Sequence, residues 1–212
     1  MDAKPIIDSL DAILPEQERV LQAAANNVKL GLERDSAIYR AFTQLHFFVL
    51  SVDFDMRVML RALLVDPQNR LTAEKFLALT LREADDSVGK VTNALKAEMR
   101  KSARASNPDS GAHLFDEAKF DTAVSEFKTA MAGLRDDSNF QGTLRLIRNT
   151  VSGHIVGDDV GVQNSAIWVL TREGVPRTTE GVMRSQIVFY AVSTLTALLN
   201  FARALQGCAK LG

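Results

Sequence analysis

The chain reads SAIYRAFTQLHFFVLSVDFDMRVMLRALLV from residue 36 to residue 65. Its apolar side chains recur at steps of three and four residues, which is the period of one face of an α-helix. Asp35 or Ser36 supplies an oxygen that can cap the first turn, and Pro67 ends the pattern because proline lacks an N–H donor. The stretch predicts a helix of about 30 residues, about 45 Å long at 1.5 Å per residue. The predicted apolar stripe comprises Tyr39, Phe42, Leu45, Val49, Val52, Met56, Met59 and Leu63.

The same period continues on both sides of this helix and covers most of the chain. Short polar or proline-containing links separate the helical segments, and short links favour antiparallel neighbours. The sequence therefore predicts one all-α domain over residues 1–212, an elongated up-and-down helical bundle. We expect no β-sheet beyond one short strand pair between Val160 and Leu170. The other predicted helices cover residues 6–13, 15–32, 73–103 with Thr72 as the cap, 115–134, 140–153 and 180–205.

Composition limits the class of protein. The chain has 212 residues, of which 46% are hydrophobic, and 25 basic against 26 acidic residues give a formal net charge of −1. Proteins that coat nucleic acids are usually basic, so a nucleic-acid role requires a local positive patch. Cys208 is the single cysteine, which rules out an intrachain disulfide and fits a reducing compartment. Without a signal-peptide pattern, and with polar side chains interrupting the apolar runs at residues 47–64 and 187–199, we expect a cytoplasmic protein with no membrane span.

A second stretch contains the candidate catalytic residues. Residues 144–155 read LRLIRNTVSGHI and place an arginine, an asparagine and a histidine within seven residues. Histidine transfers protons near neutral pH, and the planar guanidinium of arginine holds a phosphate or a developing anion. This pattern resembles the Arg-x(4–6)-His motif of the HEPN superfamily, whose domains are all-helical and often carry Asn after the arginine. Arg148, Asn149 and His154 match its three positions.

The resemblance implies a metal-independent endoribonuclease without a cofactor, or a non-catalytic RNA-binding module. In such ribonucleases the ribose 2′-hydroxyl attacks the adjacent phosphate and leaves a 2′,3′-cyclic phosphate and a 5′-hydroxyl. His154 would act as general acid or base, Arg148 would stabilise the phosphorane oxygens, and Asn149 would orient either group. The family usually builds its cleft across a two-fold homodimer. RNA and a neutralising protein are the further partners that the resemblance implies.

The position of His154 on its helix is open from sequence. Leu144 and Ile147 belong to the predicted buried stripe, and Arg145, Arg148, Asn149 and Ser152 lie on its flank, where Arg145 and Ser152 could bind substrate. In a straight helix His154 lies about 120° from Arg148 by the 3.6-residue period and points toward the core. Alternatively Gly153 ends or distorts the helix, and His154 swings beside Arg148.

Three other features have two interpretations each. Asp53 with Arg57, four residues apart, is an ordinary surface pair, or else one of the acids Asp53 and Asp55 meets Arg148 across the bundle. The glycine-rich segment 157–178 is a lid or dimer contact, or else an irregular connection whose Trp168 fills the bundle. A basic run at the end of the helix 73–103 offers phosphate contacts, or else it is a solvated helix end. The members of that run are Lys96, Arg100, Lys101 and Arg104.

The second functional hypothesis is a non-enzymatic helical bundle that binds a protein partner or small ligand in a bundle or dimer groove. The near-neutral net charge favours it, whereas the Arg148–His154 motif favours RNA. His46 and His113 lie far apart in sequence and lack metal-ligand spacing, so we expect no metal site.

Overall fold

The computed structural model describes residues 3–66, 68–105, 109, 115–147 and 180–209. Within these ranges the chain forms seven α-helices, and the one extended pairing among them is an isolated bridge between Phe115 and Ala209. The predictions of an all-α chain and of a helical bundle are confirmed; the strand pair between Val160 and Leu170 lies outside the described residues. The helices are α1 (Lys4–Glu33), α2 (Ala37–Val65), α3 (Arg70–Arg104), α4 (Glu117–Ala130), α5 (Ala132–Asp136), α6 (Ser138–Ile147) and α7 (Glu180–Cys208).

Helix α2 lies in the middle of the bundle and contacts α1, α3 and α7. The predicted cap at Ser36 is confirmed, because its hydroxyl accepts a hydrogen bond from the Tyr39 N–H at 3.0 Å. The Asp109 carboxylate accepts a second bond, from the Ala37 N–H at 2.7 Å, and so holds the start of α2 near the end of α3. Four stripe positions of α2 are buried and four are half-buried, so one face of this helix supplies much of the core. The buried four are Leu45, Val49, Met56 and Leu63.

Helix α1 corrects one prediction. The break expected before Pro15 is absent, and α1 runs without interruption from Lys4 to Glu33 with Pro15 inside it. Proline removes one backbone hydrogen bond from a helix interior. Packing offsets this cost, because α1 buries one residue in every seven against α2 and so keeps a single continuous seam. The seam residues are Leu10, Gln17, Ala24 and Gly31.

Contacts near helix ends show that α1 runs antiparallel to α2 and α4 antiparallel to α7, and that the start of α4 lies beside the last turns of α3. Asp11 near the start of α1 pairs with Arg61 near the end of α2. Lys96 near the end of α3 pairs with Asp121 near the start of α4 at 2.6 Å. The Asp116 N–H at the start of α4 donates to the Cys208 carbonyl at the end of α7 at 2.9 Å.

Three predicted boundaries differ from the structure. Helix α3 begins at Arg70 after Asn69, so Thr72 lies inside it and is not its cap. The helix predicted over 115–134 is divided by a turn at Met131 into α4 and α5. Asp116 caps α4 by accepting from the Lys119 N–H at 3.1 Å. Helix α6 begins at Ser138, two residues before the predicted start, and its predicted end at Gly153 lies outside the described residues.

Helix α7 is longer than the apolar run 187–199, which by itself is too short to cross a membrane. By length and composition Ser185–Cys208 could cross a membrane, because the mean hydropathy of its most apolar window of 18 residues is 1.4. Half of that window is buried in the bundle against α2, α3 and α4, and the core helix of a soluble protein passes the same test.

Candidate functional site

The sequence-predicted site divides at the end of α6. Four of its residues lie outside the described residues: Arg148, Asn149, Ser152 and His154. A cleft shared by Arg148 and His154 therefore stays a prediction. Arg145 and Asp53 lie within the described residues, on α6 and α2.

Asp53 is buried, which corrects the expectation of a surface pair. Its carboxylate accepts from Nε of Arg57 at 2.7 Å and from Nη2 at 2.9 Å, and the two side chains are 2% and 9% exposed. The pairing follows from the four-residue spacing, and the burial follows from the central place of α2 among α1, α3 and α7. Burial raises the pKa of Asp53, while the hydrogen bond and charge of Arg57 oppose that rise.

Asp53 and Arg145 belong to different parts of the bundle. Both carboxylate oxygens of Asp53 are engaged by Arg57, whereas Arg145 lies at the contact of α6 with α3. The alternative contact between Asp53 and Arg148 stays a prediction, since Arg148 lies beyond the described part of α6.

Arg145 lines a polar pocket of about 360 Å³ between α3, α5 and α6. Three arginines and two aspartates converge there from segments that are far apart in sequence, because α6 folds back onto α3 after the short helix α5. The pocket is lined by Leu81, Arg82, Asp85, Asp86, Leu134, Arg135, Ser138, Gln141 and Arg145.

Two of the pocket arginines hold the three helices together. Arg135 on α5 donates from Nε and Nη2 to both oxygens of Asp85 on α3, at 2.8 and 2.7 Å, in a planar fork. Arg82 donates from Nη1 to Oε1 of Gln141 on α6 at 2.6 Å, and its Nη2 lies 3.7 Å from Asp86.

Gln141 completes this framework from α6. Its Nε2 donates to the Leu134 carbonyl at 2.9 Å, so the same side chain bonds both α3 and the end of α5. The start of α6 is fixed as well, because the Asp137 carboxylate accepts from the Phe140 N–H at 2.9 Å. These bonds hold α6 against α3 and α5.

Arg145 is exposed, as is Arg135 in the same pocket, but only Arg145 has no acidic partner among the described residues. Asp85 neutralises Arg135, and Asp86 lies near Arg82, whereas no acid among the described residues lies within ion-pair distance of Arg145. The pocket thus has a surplus of one positive charge, on a chain whose formal net charge is −1. A phosphate group is a fitting ligand for an exposed guanidinium beside two others.

The basic run on α3 does not form a comparable surface. Lys96 pairs with Asp121 at 2.6 Å, and Lys101 pairs with Glu98 at 2.5 Å on its own helix. Arg100 and Arg104 remain exposed cations near the end of α3. Two of the four charges are therefore compensated locally, and a solvated helix end describes this run better than a phosphate-binding row.

Sequence reasoning named Arg145 but missed Arg82, Arg135 and Gln141. The spacing of Arg82 and Asp86, four residues apart, was a visible signal of a helical ion pair. Helical periodicity assigns residues to faces but does not say which faces meet, so it gave no reason to combine α3 with α6. Comparison with protein-family models, curated proteins and solved structures finds no match to this chain, so the HEPN resemblance rests on Arg148, Asn149 and His154 alone.

Proposed function

We propose that this chain is a HEPN-like RNA-handling domain whose site begins at the polar pocket and continues past the end of α6. The observation that carries the proposal is the position of Arg145: exposed, uncompensated, beside Arg82 and Arg135, and three residues before Arg148. The antiparallel packing of α1 on α2 and of α4 on α7 supports a HEPN-like up-and-down bundle. The local positive surplus supports RNA as the ligand, because phosphate contacts supply most of the affinity for nucleic acids.

The proposed roles extend the pocket into the motif. Arg145 and Ser152 hold phosphates that flank the scissile one, and Arg148 stabilises charge on the phosphorane oxygens. His154 takes the proton of the attacking 2′-hydroxyl or gives one to the leaving 5′-oxygen, and Asn149 orients the reacting groups. The products are a 2′,3′-cyclic phosphate and a 5′-hydroxyl, and the reaction as proposed uses no metal.

Cleavage is tested with the purified full chain and a panel of end-labelled RNAs in the presence of EDTA. We expect His154→Ala to reduce cleavage by about 10²–10⁴-fold, the usual contribution of general acid–base catalysis. Arg148→Lys should also be impaired, because lysine cannot reproduce the planar fork. Circular dichroism of each variant verifies that the fold is retained.

Binding is tested separately with Arg145→Ala. We expect weaker RNA binding and a shallower dependence of affinity on salt, because one phosphate contact is lost. Arg203→Ala is the matched control, since it removes an exposed arginine from α7, away from the pocket. Equal losses in the two variants would mean that general surface charge attracts the RNA. If the wild-type chain neither binds nor cleaves any RNA, the proposed function is wrong.

A further inference from the structure

A groove of about 400 Å³ lies between the first half of α1, α2 and α7, and it shares no residue with the polar pocket. Its walls are mostly apolar and include Leu10, Ile13, Leu60 and Leu195. A volume of this size, with apolar walls and a few polar groups, is typical of small-molecule sites.

The charged residue in the wall is Arg57. Its guanidinium has five N–H donors, of which Asp53 accepts one from Nε and one from Nη2. Among the described residues no other acceptor bonds this side chain, so both N–H groups of Nη1 and the second of Nη2 remain. Arg57 lines the groove and Asp53 does not, so the pair meets the groove through the arginine.

Charge balance determines which chemical group of a ligand can accept hydrogen bonds from these donors. Asp53 already compensates Arg57, so an anionic ligand would bury one net negative charge, and an ammonium would meet donors in place of acceptors. An uncharged carbonyl oxygen satisfies the donors without adding charge. Thr196 lines the same groove, and its hydroxyl donates to the Val192 carbonyl at 3.0 Å, so its oxygen keeps lone pairs that can accept an N–H.

We propose that the groove binds a small uncharged molecule with an apolar chain and a terminal amide. The amide carbonyl accepts from the guanidinium of Arg57, and the amide N–H donates to Thr196. The apolar chain lies along Ile13, Val192 and Leu199, which are half-buried or exposed, and it removes their apolar surface from water.

Three probes with the same chain and different heads test the proposal: octanamide, octanoate and octylammonium. Titration calorimetry on the full chain should give saturable binding of octanamide, with octanoate weaker by roughly tenfold or more and octylammonium weaker still. Equal or tighter binding of octanoate, or no saturable binding of octanamide, overturns the proposal.

One double variant and one pair of single variants locate the binding. The double variant Asp53→Leu with Arg57→Met replaces the ion pair by apolar groups, a change that buried pairs often tolerate, and should weaken octanamide binding by roughly tenfold. Thr196→Trp fills the groove from its rim and should abolish binding, whereas Ser193→Trp, an exposed position on α7 outside the groove, should leave it unchanged. An equal loss in both tryptophan variants, or unchanged binding in the double variant, contradicts the assignment. RNA handling is unaffected by these outcomes, because the groove and the polar pocket are separate.

Discussion

At the scale of single residues, Gly31 is a position where the neighbouring atoms leave little room for a side chain. It lies on the seam between α1 and α2, and a Cβ added there would be 2.7 Å from Oγ1 of Thr43. Thr43 is itself buried and donates to the Arg40 carbonyl at 3.0 Å, so it cannot move away without losing that bond. The close approach of the two helices therefore favours glycine at this point.

We predict that Gly31→Ala lowers the free energy of unfolding by about 1 kcal/mol, because crowding in a packed seam exceeds the gain in helix propensity. Gly89→Ala is the matched control: Gly89 lies in the middle of α3, and no atom is within 4 Å of an added Cβ. This control should raise the free energy of unfolding by about 0.5–1 kcal/mol. Urea denaturation measures both, and a stabilisation of similar size in the two variants would contradict the steric argument.

Residue-level prediction succeeded where the cause is local. Asp35 or Ser36 was predicted as the cap of α2, and Ser36 is that cap; a cap can be predicted because it needs only the residues of its own turn. The partner of Asp53 was predicted from a four-residue spacing, but its burial was not, because burial depends on which other helices cover that face of α2.

At the scale of elements, Asp137 and Tyr190 join α6 to α7. The Tyr190 hydroxyl donates to the Asp137 carboxylate at 2.7 Å, and its ring stacks on Phe140 with 4.7 Å between centroids. The same carboxylate caps α6 through the Phe140 N–H. The placement of α6 thus depends on one residue of α7 as well as on its own cap.

This contact predicts an unusual tyrosine titration. Burial first, and then the hydrogen bond and charge of Asp137, raise the pKa of Tyr190 to about 12. Since the fold favours the neutral phenol, its contribution to stability is complete below the unfolded pKa of about 10 and is lost as the pH rises through about 12. Tyr190→Phe should remove this part of the pH dependence and cost about 1 kcal/mol at neutral pH. Tyrosinate absorbance of the folded protein should contain a transition near pH 12 that Tyr190→Phe removes; a wild-type titration without such a transition would contradict the prediction.

Helix boundaries depend on packing as much as on local signals. Pro15 was expected to separate two helices, but the seam with α2 continues on both sides of it. The turn at Met131 was not expected, since the apolar period runs through it without proline. For α6 the buried face was predicted correctly at Leu144, which is 1% exposed.

At the scale of the whole molecule, the proposed function predicts a two-fold dimer. One motif supplies one histidine, and acid–base chemistry on both sides of a phosphodiester is easier with two. We therefore expect light scattering at micromolar concentration to give a dimer in which the two copies of His154 face one groove. A cysteine introduced at His154 should then crosslink between copies, and one at Asn200, exposed on α7, should not. A strictly monomeric species would contradict the prediction.

The fold class follows from sequence because helical period is a local property that repeats over the whole chain. The arrangement of helices does not follow, since α7 packs on α2, α3 and α4, which precede it by 50 residues or more. The polar pocket cannot be predicted from the sequence for the same reason, because Arg82 and Arg145 come together only when α6 lies on α3.

Helix α1 packs chiefly on α2, whereas α2, α3 and α7 each contact several helices. A segment held along one seam is the first to detach in a local opening that leaves the rest of the protein folded. Backbone amides of α1 should accordingly exchange with deuterium sooner than those of α2, although both helices are long and regular. Helix α1 also forms one wall of the apolar groove, so a molecule can enter or leave the groove each time α1 detaches. A molecule bound in the groove would therefore slow the deuterium exchange of α1 more than that of any other helix.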